Sequence, residues 1–247
     1  MTDFHVIIPS RLESRRLPDK PLLEIDGLQM IVHVARRSML SRAKSVTVAT
    51  CDHRIHWVCK AHEIKTIDTS SNHVCGTDRL NEACEHLGFD DQSIIVNVQG
   101  DEPFVEPQWI NEVAVFMEKN ADHSSCIPWQ YLNEHNDKNR VKVTTSNDRI
   151  IGMSRHDIPY EHGAEMGLKK HLSVLGFRRS TLSDFSANGP TQLEKVEGIE
   201  MMRLIEMGKT IGTFRMDGSS LSVDTPDDLK VARAMMKVDN LKNKYML

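Results

Sequence analysis

The sequence predicts an α/β fold: a mainly parallel sheet flanked by helices, with a smaller α+β lobe attached. Three observations carry this. Four short apolar runs alternate with helix-period segments in roughly the first hundred residues. That regularity fades after about residue 120, where short strands and polar loops take over. The length, 247 residues, suits one large domain with a modest lobe.

The first strand is His5–Pro9 (HVIIP), followed by Ser45–Thr50, Ile64–Asp68 and Ser93–Gln99. The periodic segments Met30–Met39, Asp52–His62 and Asp78–His86 lie between them. Strands separated by helices of about ten residues imply right-handed βαβ units with helices on both faces. Ligands of such sheets gather beyond the carboxyl ends of the strands. Farther on, Val141–Thr145, Ile150–Ser154 and Leu172–Phe177 read as strands. Gly163–Lys170 and Ser183–Thr191 read as loops, and helices resume at Gln192–Met207 and Pro226–Met236. The whole chain, 1–247, is one domain in which about residues 125–192 contribute the smaller lobe, a candidate dimer contact.

Hydrophobic residues make up 39% and charged residues 27%, ordinary for a soluble globular protein. The net charge of −4 argues against broad nucleic-acid binding, which needs a basic face. No apolar run approaches the ~20 residues of a membrane helix, so no membrane insertion is expected. The N-terminus lacks the pattern of a secretory signal. Five cysteines without a CxxC pair read as reduced thiols, which points to the cytoplasm. His53, His56, Cys59 and His62 recur at every third residue, but that spacing drifts around a helix and cannot aim all four at one ion.

Four segments carry chemistry. The loop Pro9–Pro21 follows the first strand and crowds Arg11, Arg15, Arg16 and Lys20 into ten residues, with Ser10 at its start. Arginine forks and a lysine point charge suit phosphate oxygens. The glycines of a Walker A loop or a GxGxxG turn are absent. The plain alternative is a solvated loop neutralised by Glu13 and Asp19. In Ile94–Pro103 an apolar strand ends at Gln99, Gly100, Asp101 and Glu102. A strand-end carboxylate suits magnesium, which takes one or two carboxylates plus phosphate oxygens. A turn and helix cap would use the same residues. Asp224, before Thr225 and Pro226, is a candidate second metal ligand or part of a helix start. Cys75 and Gly76 form a small-residue turn that Thr77 could cap, and such a turn can read the edge of a base.

Taken in order, IPSRLESRRLPDKPL, HVCGTDRL, VNVQGDEP, SRHDIPY, HLSVLGFRR, LEKVEGIEMMRL and VDTPDDL cover nearly the whole chain. Together they resemble the 3-deoxy-manno-octulosonate (Kdo) cytidylyltransferases. The resemblance implies a nucleotide-binding α/β domain with a smaller dimerisation lobe, usually in a homodimer. It implies transfer of CMP from CTP to the anomeric 2-hydroxyl of an acidic eight-carbon sugar. Pyrophosphate would leave, and the sugar would be activated for lipopolysaccharide assembly. It places Ser10, Arg11, Arg16, Lys20, Cys75, Gly76 and Thr77 at CTP. Gln99, Arg155, His171 and Glu200 fall at the sugar, and Asp101 and Asp224 on Mg²⁺. Lys20, Asp101 and Asp224 then form the catalytic set.

The chain departs from the family pattern near the sugar. Leu175-Gly176-Phe177-Arg178 replaces Tyr-Gly-Tyr-Arg, and Glu200-Met201 replaces Glu-Gln. Cys75 stands for a serine and Asp19 for a glycine. Lost hydroxyls and a lost carboxamide suggest an altered sugar tail, such as 8-amino-3,8-dideoxy-manno-octulosonate, or simple repacking. Asp19 is expected to point away from the phosphates. Rival readings are a nucleotidyltransferase for a sialic-type acid or sugar 1-phosphate, a glycosyltransferase, and a non-catalytic nucleotide or sugar sensor.

Overall fold

A computed structural model describes residues 3–14, 16–218 and 221–246. Arg15 of the basic loop lies outside the described residues.

The chain begins with β1 (Phe4–Pro9), a 3₁₀ turn at Lys20–Leu22, and the small hairpin β2 (Glu24–Ile25) and β3 (Leu28–Gln29). Then come α1 (Met30–Met39), β4 (Ser45–Thr50), α2 (His53–Ala61), β5 (Thr66–Asp68), α3 (Gly76–His86), β6 (Ile94–Val98) and α4 (Pro107–Lys119). The middle of the chain holds β7 (Ser125–Cys126), β8 (Trp129–Leu132), β9 (Lys142–Ser146), β10 (Arg149–Ser154), β11 (Leu168–His171) and β12 (Val174–Arg178). It closes with α5 (Arg179–Asn188), α6 (Gln192–Glu197), α7 (Met202–Glu206), β13 (Ile211–Gly212), α8 (Pro226–Lys237) and a 3₁₀ turn at Asn240–Lys244.

All strands except the hairpin join one eleven-stranded sheet in the order β5-β4-β1-β6-β12-β7-β13-β10-β9-β11-β8. The first four are parallel, with β1 between β4 and β6. β12 then pairs antiparallel with β6 from Val174↔Val98 to Arg178↔Ile94. Residues 125–192 therefore extend the same sheet by antiparallel strands. Two clusters of buried side chains pack on its faces. One gathers Val6, Ile8, Val96 and Val98 with α1 and α4. The other gathers Ile7, Ile95, Leu80, Leu175 and Phe177 with α3 and α5.

The first four strands and three helices fall where the alternation predicts. Four later segments differ. Gly163–Lys170 is not a loop to its end: Leu168–His171 forms β11, where pairing with β8 and β9 makes a strand of a polar sequence. Ser183–Thr191 is not a loop up to residue 188: α5 runs to Asn188 and buries Leu182 and Phe185, so tertiary burial overrides its polar composition. Gln192–Met207 is not one helix, because Gly198 takes a left-handed φ of 64° and ends α6. The helix α4 is absent from the sequence reading, although Pro107 at its first turn and buried Trp109, Ile110 and Val113 account for it.

Candidate active site

The basic loop folds by splitting its side chains. Leu12 and Leu17 are buried, and Pro21 is buried in the 3₁₀ turn. Leu17 packs in a third cluster with Phe104, Val223 and Leu229. This apolar anchoring draws the loop against the segments that carry Asp101 and Asp224, and leaves Arg11, Arg16 and Lys20 lining a cleft. Asp19 has a left-handed φ of 54°. Aspartate tolerates that conformation better than most residues. Its carboxylate pairs with Arg54 of α2 at 3.1 Å and lies outside the cleft lining, so it points away as expected.

Lys20 sits between the two acidic groups. Its Nζ donates to Asp101 Oδ2 at 2.6 Å and to Asp224 Oδ1 at 2.9 Å. Arg16 Nη2 reaches the same Asp224 oxygen at 3.0 Å. Burial opposes the lysine charge, but Asp101 and Asp224 outweigh it and hold the ammonium above its ordinary pKa. The strand end is brought close by Gly100, where a Cβ would lie 3.1 Å from the Pro9 carbonyl oxygen. Val223 N–H donates to the Asp101 carbonyl at 3.0 Å. Thr225 starts α8 with a capping box to Asp228 and Pro226 in the first turn, so Asp224 stands just before a fixed helix start. Two carboxylates open to a cleft with room for phosphate oxygens and water fit a hard divalent cation.

Two adjoining cavities meet at this group. The first, of about 740 Å³, takes Ser10, Arg11, Arg16, Lys20, Cys75, Gly76, Gln99, Asp101 and Asp224 from the predicted set. The second, of about 580 Å³, takes Arg155, His171 and Glu200. Arg11, Arg16, Cys75, Gly76, Gln99, Asp101 and Asp224 line both. Thr77 lines neither: its side chain is buried and its hydroxyl has no hydrogen-bond partner among the described residues. The cap of α3 is Cys75 rather than Thr77. Glu200 Oε2 accepts from the Thr77 backbone N–H at 3.3 Å, placing a carboxylate at the positive end of that helix. Burial, then Glu200, push the Cys75 thiol far above its ordinary pKa, so it stays a thiol.

The predicted sugar residues differ in what they offer. Arg155 spends its guanidinium on backbone carbonyls, donating to Glu197 at 2.8 Å, Gly198 at 2.9 Å and Lys138 at 3.0 Å. It braces the cavity wall. Burial pushes the His171 imidazole down to about 4, so it is neutral near pH 7. Of the three substituted pocket positions, Leu175 and Met201 line the second cavity, whereas Phe177 is fully buried in the core. The loss of a hydroxyl at Phe177 therefore does not alter the cavity.

Two residues here were given no place at the site from sequence: Glu102, which was read only as part of a turn or helix cap, and Lys142. Burial and the adjacent Asp101 push the Glu102 carboxyl up to about 7, while Ser222 and Ser173 hydroxyls donate to it. Lys142, fully buried, donates to the carbonyls of Asp137 at 2.7 Å and Arg140 at 2.9 Å and fixes a turn on the cavity rim. Its signal in sequence was faint, a lone lysine in an apolar strand. Away from the site, Cys59 is buried and His56 bonds Thr66 and Asp68, so that histidine pattern is spent on packing and surface contacts.

An open α/β sheet with paired carboxylates, a bridging lysine and arginines at its ligand edge defines a nucleotide-handling transferase. The family model for cytidylyltransferases matches residues 5–211, and this chain belongs to that family of nucleotidyltransferases. It is 35% identical over 235 residues to a protein of a Nitratiruptor species named 3-deoxy-manno-octulosonate cytidylyltransferase, covering 93% of this chain and 98% of the relative. A protein of the same name from Acidovorax ebreus is 36% identical over 255 residues, covering 94% and 97%. A solved structure of CMP:2-keto-3-deoxy-manno-octonic acid synthetase complexed with CTP superposes with a TM-score of 0.89 at 33% identity, covering 95% of this chain and 98% of that one. A cytidylyltransferase from Leptospira borgpetersenii shares the fold, with a TM-score of 0.66 at 16% identity, covering 97% and 88%.

Proposed function

We propose that this chain transfers CMP from CTP to the anomeric 2-hydroxyl of a 3-deoxy-octulosonic acid and releases pyrophosphate. The observation that carries the reading is Lys20 held between Asp101 and Asp224 where the two cavities meet. Arg11, which makes no hydrogen bond or ion pair among the described residues, faces the cleft with Arg16 and Lys20 and would neutralise the triphosphate. The turn Cys75-Gly76 would hold the cytidine, and the second cavity the sugar.

Asp101 and Asp224 would hold magnesium. When bound there, the ion supplies charge neutralisation to phosphate and hydroxyl oxygens. The protein's own part is positioning: the loop fixes phosphate, and the cavity wall braced by Arg155 aligns the sugar hydroxyl. Charge that accumulates on phosphate oxygens then meets preset cations rather than reorganising water.

The names of the relatives support 3-deoxy-manno-octulosonate as the sugar. A second reading, 8-amino-3,8-dideoxy-manno-octulosonate, draws support from Leu175 and Met201 beside Glu200 in the second cavity. Apolar neighbours remove hydroxyl partners while a carboxylate remains for an ammonium. Incubation with CTP, Mg²⁺ and each sugar, followed by mass measurement of the conjugate, tests the reaction. Absence of a CMP conjugate with either sugar, or turnover with UTP or GTP but not CTP, would overturn it. Equal or better kcat/KM for the plain sugar sinks the amino-sugar reading.

A homodimer is also proposed, supported by exposed Tyr131 on the terminal strand β8 and exposed Ile151 on β10. A monomer mass in light scattering would contradict it. Unpaired cysteines support a reducing compartment, the cytoplasm. No helix among the described residues is long and apolar enough to cross a membrane.

A further inference from the structure

The cationic side chains of the second cavity can be sorted by what already satisfies them. Arg16 pairs with Asp224 at 3.0 Å, and Arg140 with Asp137 at 3.1 Å. Arg155 is held by three backbone carbonyls. Two cations remain without a hydrogen bond or ion pair among the described residues, Arg11 and Lys170. Arg11 lines both cavities, whereas Lys170 lines only the second.

Lys170 is also rigidly placed. Its backbone sits in β11 opposite Gln130 of β8 and Lys142 of β9, so two neighbouring strands hold its Cα. The preceding Lys169 is committed elsewhere, donating to Thr145 Oγ1 at 2.7 Å and lying 4.4 Å over the Trp129 ring. Burial lowers the pKa of the Lys170 ammonium, and nearby Arg140 adds to that; Glu102 and Glu134 act on it only across a gap. A half-buried ammonium without a partner is costly. A ligand anion would offset that cost. The other polar wall groups suited to such a sugar, Gln99 and neutral His171, recognise hydroxyls rather than negative charge.

We propose that Lys170 is a specificity-determining residue that receives the carboxylate of the acidic sugar. This rests on the reading of the second cavity as the sugar site. It separates the two anionic substrates by position: Arg11 at the junction takes phosphate, and Lys170, farther along the sugar cavity, takes carboxylate. A neutral sugar would then leave the ammonium buried and unpaired, which discriminates against it.

The test uses the full chain, with CTP, Mg²⁺ and 3-deoxy-manno-octulosonate or its 8-amino form. The wild-type arm examines the underlying reading: no CMP conjugate with either sugar overturns that reading and this assignment with it. Lys170→Met keeps most of the stem volume and removes the charge. It should raise the sugar KM by about ten- to a hundredfold, the scale of a lost charge-assisted hydrogen bond, with the CTP KM unchanged. Lys170→Arg should recover most of that loss. On the wild-type enzyme, the carboxamide analogue of the preferred sugar should suffer a KM penalty of similar size, and Lys170→Met should add little to it. This last pair needs no assumption about stability if the methionine variant folds, and the analogue alone serves if it does not. An unchanged sugar KM in Lys170→Met, a larger effect on CTP than on sugar, or full wild-type use of the carboxamide each overturns the assignment.

Discussion

The backbone N–H of Val223 donates to the carbonyl oxygen of Asp101 at 3.0 Å. Through this bond the segment before α8 is docked on the end of β6, and the neighbouring Ser222 hydroxyl reinforces it by donating to Glu102. Asp101 and Asp224 are thereby presented to one cleft by backbone geometry, and Lys20 only has to span two carboxylates already side by side. The arrangement is preset before any ligand arrives, which is what electrostatic catalysis requires.

Asp101→Asn and Asp224→Asn each remove one negative charge with little change of shape. Lys20 keeps one carboxylate partner in either variant, so circular dichroism should show an intact fold. The kcat should fall at least about a hundredfold, the scale of losing one preorganised electrostatic group. Steady-state kinetics checks this. A near-normal kcat in either variant would remove that side chain from the reaction.

Arg155→Ala deletes three donors to backbone carbonyls at Lys138, Glu197 and Gly198. Thermal melting should report a loss of about 1–3 kcal/mol, since charged hydrogen bonds are replaced in part by water. Because those carbonyls form the wall of the second cavity, the sugar KM should rise more than the CTP KM. The reverse order would contradict the bracing role.

The folded state holds the His171 pKa at about 4, below the 6.5 of an unconstrained imidazole. Above pH 6.5 the group is neutral folded and unfolded, and contributes no pH dependence. As pH falls from 6.5 to about 4 the unfolded chain binds the proton and the folded chain does not, so stability is lost across that window. The loss should be of order 2–3 kcal/mol. Chemical denaturation of wild type and His171→Gln at pH 7 and pH 4.5 measures it. If the gap between the two proteins does not change with pH, the histidine is not held neutral.

Gly176→Ala places a Cβ 2.7 Å from Met117 Cγ and 2.8 Å from Val113 Cγ1, both on the buried side of α4. Overpacking of this kind costs about 1–3 kcal/mol. A lowered melting temperature is expected, and an unchanged one would mean that α4 moves aside freely.

The parallel half of the sheet was legible because apolar runs and 3.6-residue periods alternate from β1 to β6 with little interruption. The basic loop was legible because four cations in ten residues stand out in an acidic chain. The helix α5 was not: its sequence RSTLSDFSAN is polar, and only packing of Leu182 and Phe185 under the sheet makes it a helix. Phe177 was misplaced for a related reason. Leu175 and Phe177 share one face of β12, and no local pattern says how far along the strand the cavity reaches: Leu175 lies opposite Asn97 and lines the second cavity, whereas Phe177 lies opposite Ile95 in the core.

The sequence by itself determined the fold class, the segments that carry charge and the family, since these depend on local pattern and on residue identity in order. The tertiary structure decided which charges remain available. Arg16 and Arg155 are spent on protein partners while Arg11 and Lys170 are not, and His171 is neutral because burial withholds solvation from its charged form. Pairing and desolvation depend on neighbours far apart in the chain, and no local pattern encodes them.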